Sequence, residues 1–230
     1  MPKVAVITGS NGLIGQATCR KLMQSGFLAV GVDIGADSRG NWPYYQCDLT
    51  DLGQLGQTFA AIEQEHGLIR VLYNNAGVFH PEKDWLDVPP EQFDATMSVN
   101  VRVPFFASQW VARRLIAEGQ GGSIITTASV AGVNGSTVVE YGASKAAVIN
   151  MTKSLGRRLG RHDIRVNAIA PGLINTAMGA RVPEISKKRA LDSALGRAGE
   201  PEEIASVVDF LASDAASFVT CATIEVNGGS

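Results

Sequence analysis

The chain has 230 residues, 45% hydrophobic and 18% charged, with a formal net charge of −2. That mixture suits a soluble globule with a sizeable core, and the near balance of charge gives no broad electrostatic footprint for nucleic acid or a membrane surface. The cysteines Cys19, Cys47 and Cys221 are scattered with no CxxC pair, which argues against a disulfide frame or zinc site and for reduced thiols in a cytoplasmic protein.

The first apolar run, Lys3–Thr8, lacks the basic start and long apolar stretch of a signal peptide and reads as a buried strand. It feeds into "VITGSNGLIG", which spaces Gly9, Gly12 and Gly15 three apart. Glycine this dense costs backbone entropy and needs a reason. Strand, glycine turn and helix start, in that order, form a phosphate site: the backbone can approach a pyrophosphate, and the helix start offers free N–H groups and a positive dipole end. A dinucleotide is therefore expected on Gly9, Asn11, Gly12, Leu13, Ile14 and Gly15. The next strand, Leu28–Asp33, ends in a carboxylate 18 residues after Gly15. Asp33 can accept hydrogen bonds from the adenosine ribose hydroxyls and would repel a 2′-phosphate. The glycine loop holds Ser10, Asn11 and Leu13 rather than Arg or Lys, and Arg39 is the one basic candidate nearby. NAD is the expected cofactor, with NADP the weaker fit.

Ile34–Pro43, "IGADSRGNWP", has no helical pattern, although a parallel crossover usually takes a dozen or more residues. An irregular crossover with a more open flank near the adenine is expected. Tyr44–Cys47 is a weaker strand candidate. Leu52, Leu55, Phe59 and Ile62 repeat at helical spacing, as do Val148, Met151, Leu155 and Leu159. Leu68–Asn74, Ser123–Thr127, Ile164–Ala170 and Thr223–Val226 read as further buried strands. Pro201, Glu202 and Glu203 look like a helix first turn, where proline fits and acids suit the dipole. The alternation predicts an α/β protein, a doubly wound parallel sheet of about seven strands with helices on both faces (a Rossmann fold), in one domain over 1–230. A short substrate flap is expected at about 174–195. No uninterrupted apolar run reaches 18 residues, so no membrane span is expected, and His66, His80 and His162 fall in no metal-ligand spacing.

Further along stand "NNAG" (Asn74–Gly77), "SVN" (Ser98–Asn100), Ser129, "YGASK" (Tyr141–Lys145), "NAIAPG" (Asn167–Gly172) and "GRAGEPEEIASVVDFLASDAASFVT" (Gly196–Thr220). With the opening glycines, this ordered set resembles the short-chain dehydrogenase/reductase family along essentially the whole chain. Tyr141 and Lys145, four apart at a helix start, share one face. A free tyrosine has a pKa of about 10. A nearby ammonium and an oxidised nicotinamide would both lower it, so that Tyr141 could exchange a proton with an alcohol or carbonyl oxygen. Ser129, just past a strand end, can hydrogen-bond the same oxygen. The resemblance implies that Lys145 also contacts the nicotinamide ribose and that Asn100 holds a water continuing a proton relay.

Asn75, Ala76 and Gly77 would pass close to the cofactor, with Asn74 either tying neighbouring strands together or serving the site. By resemblance Asp48 hydrogen-bonds the adenine amino group and Leu49 adds a backbone contact; Asp48 reads equally as a helix cap for Thr50 onward. Past Pro171 and Gly172, Ile174 and Thr176 match positions that meet the nicotinamide carboxamide in the family. Substrate would lie against Phe79, Val130, Val133, Val138 and Leu173, with Met178 and Val182 on the flap. That lining is mostly apolar and offers no Arg cluster, so a small or medium secondary alcohol, or its ketone, is expected. The segment Gly196–Gly229 is implied to form a subunit contact in a homotetramer.

Three features depart from the compact, single-domain branch of the family. The glycines read TGxxGxxG rather than TGxxxGxG, Ser129 precedes Tyr141 by 12 residues rather than 13, and the second crossover helix is missing. Among rivals, a halohydrin dehalogenase is disfavoured by Lys145 and Asp33, and an enoyl reductase by the three-residue gap between Tyr141 and Lys145. An NADP-dependent carbonyl reductase, and a catalytically silent NAD sensor or scaffold, remain as alternatives.

Overall fold

Residues 2–81 and 84–230 are described by a computed structural model. Strands and helices alternate: β1 (Val4–Thr8), α1 (Leu13–Gln24), β2 (Leu28–Asp33), β3 (Tyr44–Gln46), α2 (Leu52–His66), β4 (Ile69–Asn74), α3 (Pro90–Met97), α4 (Val103–Ala117), β5 (Gly122–Thr127), α5 (Val130–Asn134), α6 (Val139–Leu159), β6 (Ile164–Pro171), α7 (Ala177–Ala180), α8 (Glu184–Leu191), α9 (Pro201–Ala212) and β7 (Thr223–Val226). Among the described residues the seven strands form one sheet in the order β3-β2-β1-β4-β5-β6-β7, every neighbouring pair parallel. Every predicted strand is present, with no end moved by more than one residue. Cys47 falls outside β3 and Pro171 inside β6.

Period two divides each central strand between two cores. Val4 and Val6 join Phe59 and Ile62 of α2 and Val111 and Leu115 of α4 on one face. Ala5 and Ile7 join Leu22 of α1 and Ile204, Val208 and Leu211 of α9 on the other. The strand order reverses between β1 and β4, and ligands of doubly wound sheets bind in the crevice beyond the strand ends at such a point. Gly9 follows β1 there and Asn75–Gly77 follow β4.

The crossover from β2 to β3 is irregular, as its sequence predicts. In place of a covering helix, the Trp42 indole is buried against Ala5, Cys19, Leu22 and Ala29. Asn11 ties this loop to the glycine turn: its side-chain amide donates to Asp37 O (2.9 Å) and its oxygen accepts from Arg39 N (3.1 Å). The helical patterns also hold. Leu55, Phe59 and Ile62 are buried along α2, but the helix is capped by Asp51, whose carboxylate accepts from Gly53 N and Gln54 N. The capping role considered for Asp48 therefore passes to Asp51. Asp48 closes its own turn instead, accepting from the Thr50 N–H (2.9 Å) and hydroxyl (2.7 Å).

Candidate active site

The glycines of the opening turn have three different jobs. Gly9 has φ +64°, where an L side chain is strained, and a Cβ there would lie 2.8 Å from Ala76 Cα. A Cβ on Gly15 would overlap the Gly9 carbonyl oxygen and lie 2.7 Å from Ser10 Cα, so this glycine packs the helix onto the turn. Gly12 is different. Its backbone is ordinary (φ −70°, ψ 156°), and a Cβ there would meet only Gly9 O, at 3.4 Å. Nothing in the protein's own packing demands glycine at 12, which leaves the space outside it. α1 begins directly after Gly12, with no capping side chain and no acid in its first turn. Its first N–H groups therefore face outward at the positive end of the dipole, a donor set suited to a pyrophosphate.

Asp33 stands beside this turn with its carboxylate aimed: Oδ2 accepts from Asn11 N (2.9 Å) and Oδ1 from Gly35 N (3.3 Å). Each oxygen keeps a free lone pair for a ribose hydroxyl. Asn75 sends its side-chain amide to Thr8 O (3.1 Å) and Gly9 O (3.0 Å), so it fixes the turn rather than reaching outward. Thr8, which the sequence argument passed over, accepts from Asn75 N (3.0 Å) and Ala76 N (3.2 Å) through its hydroxyl. Asn74 ties the end of β4 to α4 and β5, donating to Ser108 (3.2 Å) and Thr126 (3.4 Å).

A cavity of ≈ 410 Å³ opens from this crevice, and Ile14, Ser129, Tyr141, Pro171 and Gly172 reach it from four separate elements or their ends. Phe79, Val130, Val138, Leu173, Met178 and Val182 line it as expected, and so do Ile174 and Thr176. Val133 does not: it is 45% exposed and absent from the wall. Its helix, α5, is little more than one turn. Gly132 presses that turn against the α6 backbone, where a Cβ would lie 2.5 Å from Lys145 C, and position 133 faces outward. The hydroxyls of Ser136 and Thr137 and the amide of Asn134 give the apolar wall a polar rim that the sequence argument did not single out.

Ser129 is placed by β5 and caps α5, its hydroxyl accepting from Ala131 N (3.1 Å). Tyr141 and Lys145 lie one turn apart on α6. Lys145 is 3% exposed; its ammonium donates to Thr127 O (2.8 Å) and stands 5.7 Å from the centre of the Tyr141 ring. Burial pulls its pKa down to about 8. Tyr141 borders the cavity but is hemmed in by protein, and this enclosure pushes its phenol above the ordinary 10, while a hydrogen bond with Ser129 pulls the other way. That corrects the expected lowering by Lys145. The ammonium sits over the ring, engaged by a carbonyl, and in the protein alone desolvation is the largest influence on the phenol.

Asn100 is 1% exposed in a π-helical turn at Ser98–Arg102. Oδ1 accepts from Val78 N (2.9 Å), and Nδ2 donates to Val78 O (3.0 Å) and Ser144 Oγ (3.0 Å). Both amide hydrogens of Asn100 are thus committed to the protein, while Oδ1 keeps one lone pair. Its carbonyl has lost the α-helical donor four residues on, because Pro104 has no N–H. Pro171 and Gly172 end β6 against the C-terminal segment, a Cβ on Gly172 lying 2.9 Å from Asn227 Cα. Ile174 is anchored by a bridge to Gly199, and the Thr176 hydroxyl caps α7 by accepting from Gly179 N (3.0 Å). Leu49 is buried under the β3 end. Among the described residues no cluster of His, Cys, Asp and Glu could hold a metal, and no helix is long and apolar enough to cross a membrane.

A family profile described as Enoyl-(Acyl carrier protein) reductase matches residues 10–230. The chain is 38% identical to the 3-oxoacyl-[acyl-carrier-protein] reductase of Thermotoga maritima, over 99% of this chain and 97% of that one. Its structure is similar to a short-chain type dehydrogenase/reductase from Mycobacterium marinum, with TM-score 0.88, 31% identity and coverage of 99% and 94%. It is also similar to a 3-ketoacyl-(acyl-carrier-protein) reductase from Brucella melitensis complexed with NADH, with TM-score 0.92, 27% identity and coverage of 99% and 97%.

Proposed function

This chain belongs to the short-chain dehydrogenase/reductase family of NAD(P)-dependent oxidoreductases acting on CH–OH groups, and from that premise we propose that it uses NAD(H) to interconvert a small or medium secondary alcohol and its ketone. The observation that carries this is the convergence of Ser129 and Tyr141 at one cavity, which Ile14 of the glycine turn also borders, with the Lys145 ammonium buried 5.7 Å from the centre of the Tyr141 ring. The nicotinamide, when bound, accepts or supplies the hydride. Tyr141 gives or takes the proton on the substrate oxygen, Ser129 holds that oxygen by a hydrogen bond, and Lys145 sets the charge near the phenol. The turn that Gly9 and Gly15 shape would receive the pyrophosphate at Gly12 and the start of α1, and Asp33 would hold the adenosine ribose, with Ala76 and Gly77 alongside. The relative complexed with NADH supports a nicotinamide dinucleotide here, and Asp33 favours the form without a 2′-phosphate.

The lining supports an uncharged substrate. Its wall is mostly apolar, with no Lys or Arg among the described residues that line it to hold a phosphate or several carboxylates. A homotetramer fits the same reading: β7 is an edge strand, and Phe218, just before it, is fully exposed. Parallel titration of the protein with NADH and NADPH, followed by a screen of secondary alcohols with NAD, tests the proposal. Tighter NADH binding and turnover of an uncharged alcohol are expected. Equal or tighter NADPH binding refutes the role given to Asp33, and a phosphorylated sugar or acyl-carrier conjugate as best substrate refutes the pocket argument. Light scattering that shows only monomer refutes the tetramer.

A further inference from the structure

Phe79 stacks edge-on against the catalytic tyrosine, with ring centroids 4.9 Å apart and planes at 70°. Yet the segment that carries it belongs to no helix or strand. Its backbone is held by side-chain amides instead. Asn100 satisfies both polar groups of Val78. Two residues on, the His80 carbonyl accepts a long hydrogen bond from Gln92 Nε2 (3.5 Å), and the same nitrogen donates to Glu140 Oε1 (3.0 Å). Glu140 precedes Tyr141 in the first turn of α6 and is only 4% exposed.

We propose that Gln92 and Glu140 are positioning residues, which hold the Val78–His80 segment so that Phe79 stays against Tyr141. A carboxylate this buried is costly unless it is paired. Its surroundings give it Gln92, and an acceptor at that place fixes which way the amide faces. With the nitrogen turned to Glu140, it also faces the His80 carbonyl; flipped, the amide would put an oxygen against both acceptors. The weak contact to His80 is thus enforced by the stronger one to Glu140. Phe79 lies between the two clamped residues and forms the cavity wall beside the phenol. The arrangement links α3 to α6 across 48 residues of chain, and it bears on the Tyr141 ring through Phe79.

The kinetic part of this proposal rests on the dehydrogenase reading above, so its test carries a second readout that does not. Gln92→Ala and Glu140→Ala are expected to lower kcat about tenfold, the scale of one hydrogen bond lost from the reacting geometry, with the KM for NAD unchanged. Glu140→Gln keeps an oxygen that accepts from Gln92 and is expected to retain most of kcat. Hydrogen exchange in the peptide spanning 75–81 is expected to quicken in both alanine variants and to stay slow in Glu140→Gln. Alanine variants with wild-type kcat and protection overturn the proposal. So does Glu140→Gln as impaired as Glu140→Ala, since the charge and not the clamp would then matter. If the wild type turns over no alcohol with either dinucleotide, the dehydrogenase reading falls, and the exchange pattern alone decides the clamp.

Discussion

Gly12 and Gly15 offer a paired test of what the glycine turn is for. Alanine at 12 meets only the Gly9 oxygen at 3.4 Å, in a backbone conformation open to any residue. Alanine is a poorer N-cap than glycine by about 0.5–1 kcal/mol, and it lowers the entropy of the unfolded chain by a similar amount, so the two effects nearly cancel. Alanine at 15 collides with the backbone of Gly9 and Ser10, neither of which can rotate away. Overpacking against rigid neighbours costs roughly 1–3 kcal/mol, and about 2–4 °C of Tm follows each kcal/mol in a domain this size. Gly15→Ala should therefore melt roughly 2–12 °C below wild type, and Gly12→Ala within about 2 °C of it. Binding should rank the other way among folded proteins. A methyl group at 12 stands where the pyrophosphate would approach, and NADH affinity should fall about tenfold or more, at least ~1.4 kcal/mol. Thermal melts and NADH fluorescence titrations of both variants give the answer. Wild-type NADH affinity in Gly12→Ala, or a melting point as low as that of Gly15→Ala, would refute the claim that Gly12 is small for a ligand's sake.

Tyr141→Phe should keep NADH affinity and lose about 10²–10⁴-fold in kcat, which steady-state assays beside a binding titration will show. An unchanged kcat would assign the protein to the sensor class. Lys145, held at about 8 by burial, makes stability pH-dependent. Between about pH 8 and 10 the unfolded chain binds the extra proton, so stability should rise with pH there, by up to about 3 kcal/mol. Tyr141, shifted upward, adds the opposite trend only above about pH 10, where the unfolded phenol ionises first. Urea midpoints at pH 8 and 9.5 should therefore climb in wild type relative to Lys145→Met, and parallel curves would rule this out. Cys221 holds φ +60° without being glycine. Cys221→Gly should relieve about 1 kcal/mol of left-handed strain, less what the thiol gains by packing at Gly156, and raise Tm by a degree or two. A lower Tm would mean that the packing dominates.

Much of this was legible because the signals are local. Buried parallel strands announce themselves as apolar runs, and Tyr141 and Lys145 meet because four residues make one helical turn. Strand ends were less certain. Pro171 extends β6 by its pairing with Val226, although proline usually argues for an end. What the sequence could not show depends on groups far apart in the chain. Gln92 and Glu140 meet only once α3 packs on α6. The upward push on the Tyr141 phenol in the protein alone comes from enclosure, which no spacing encodes. Val133 was placed on the cavity wall by proximity in sequence, and Gly132 turns it away. Trp42 looked like one residue of a structureless loop, although it fills the space of a missing helix.

That indole also constrains how the protein can change. A Cβ on Gly31 would lie 2.6 Å from the Trp42 ring nitrogen, and one on Gly40 would overlap its six-membered ring. The three positions are therefore not independent. While the indole is present, any larger residue at 31 or 40 is penalised; once it is gone, Gly40 becomes free to vary, and Gly31 is left with only the Ser10 hydroxyl, 2.7 Å from where its Cβ would stand. Side chains in contact of this kind commonly couple by about 0.5–3 kcal/mol. The order of substitution then matters. A descendant that rebuilds a helical crossover must give up Trp42 before it can place larger residues at 31 or 40, and it passes through a form with an uncovered β2 on the way.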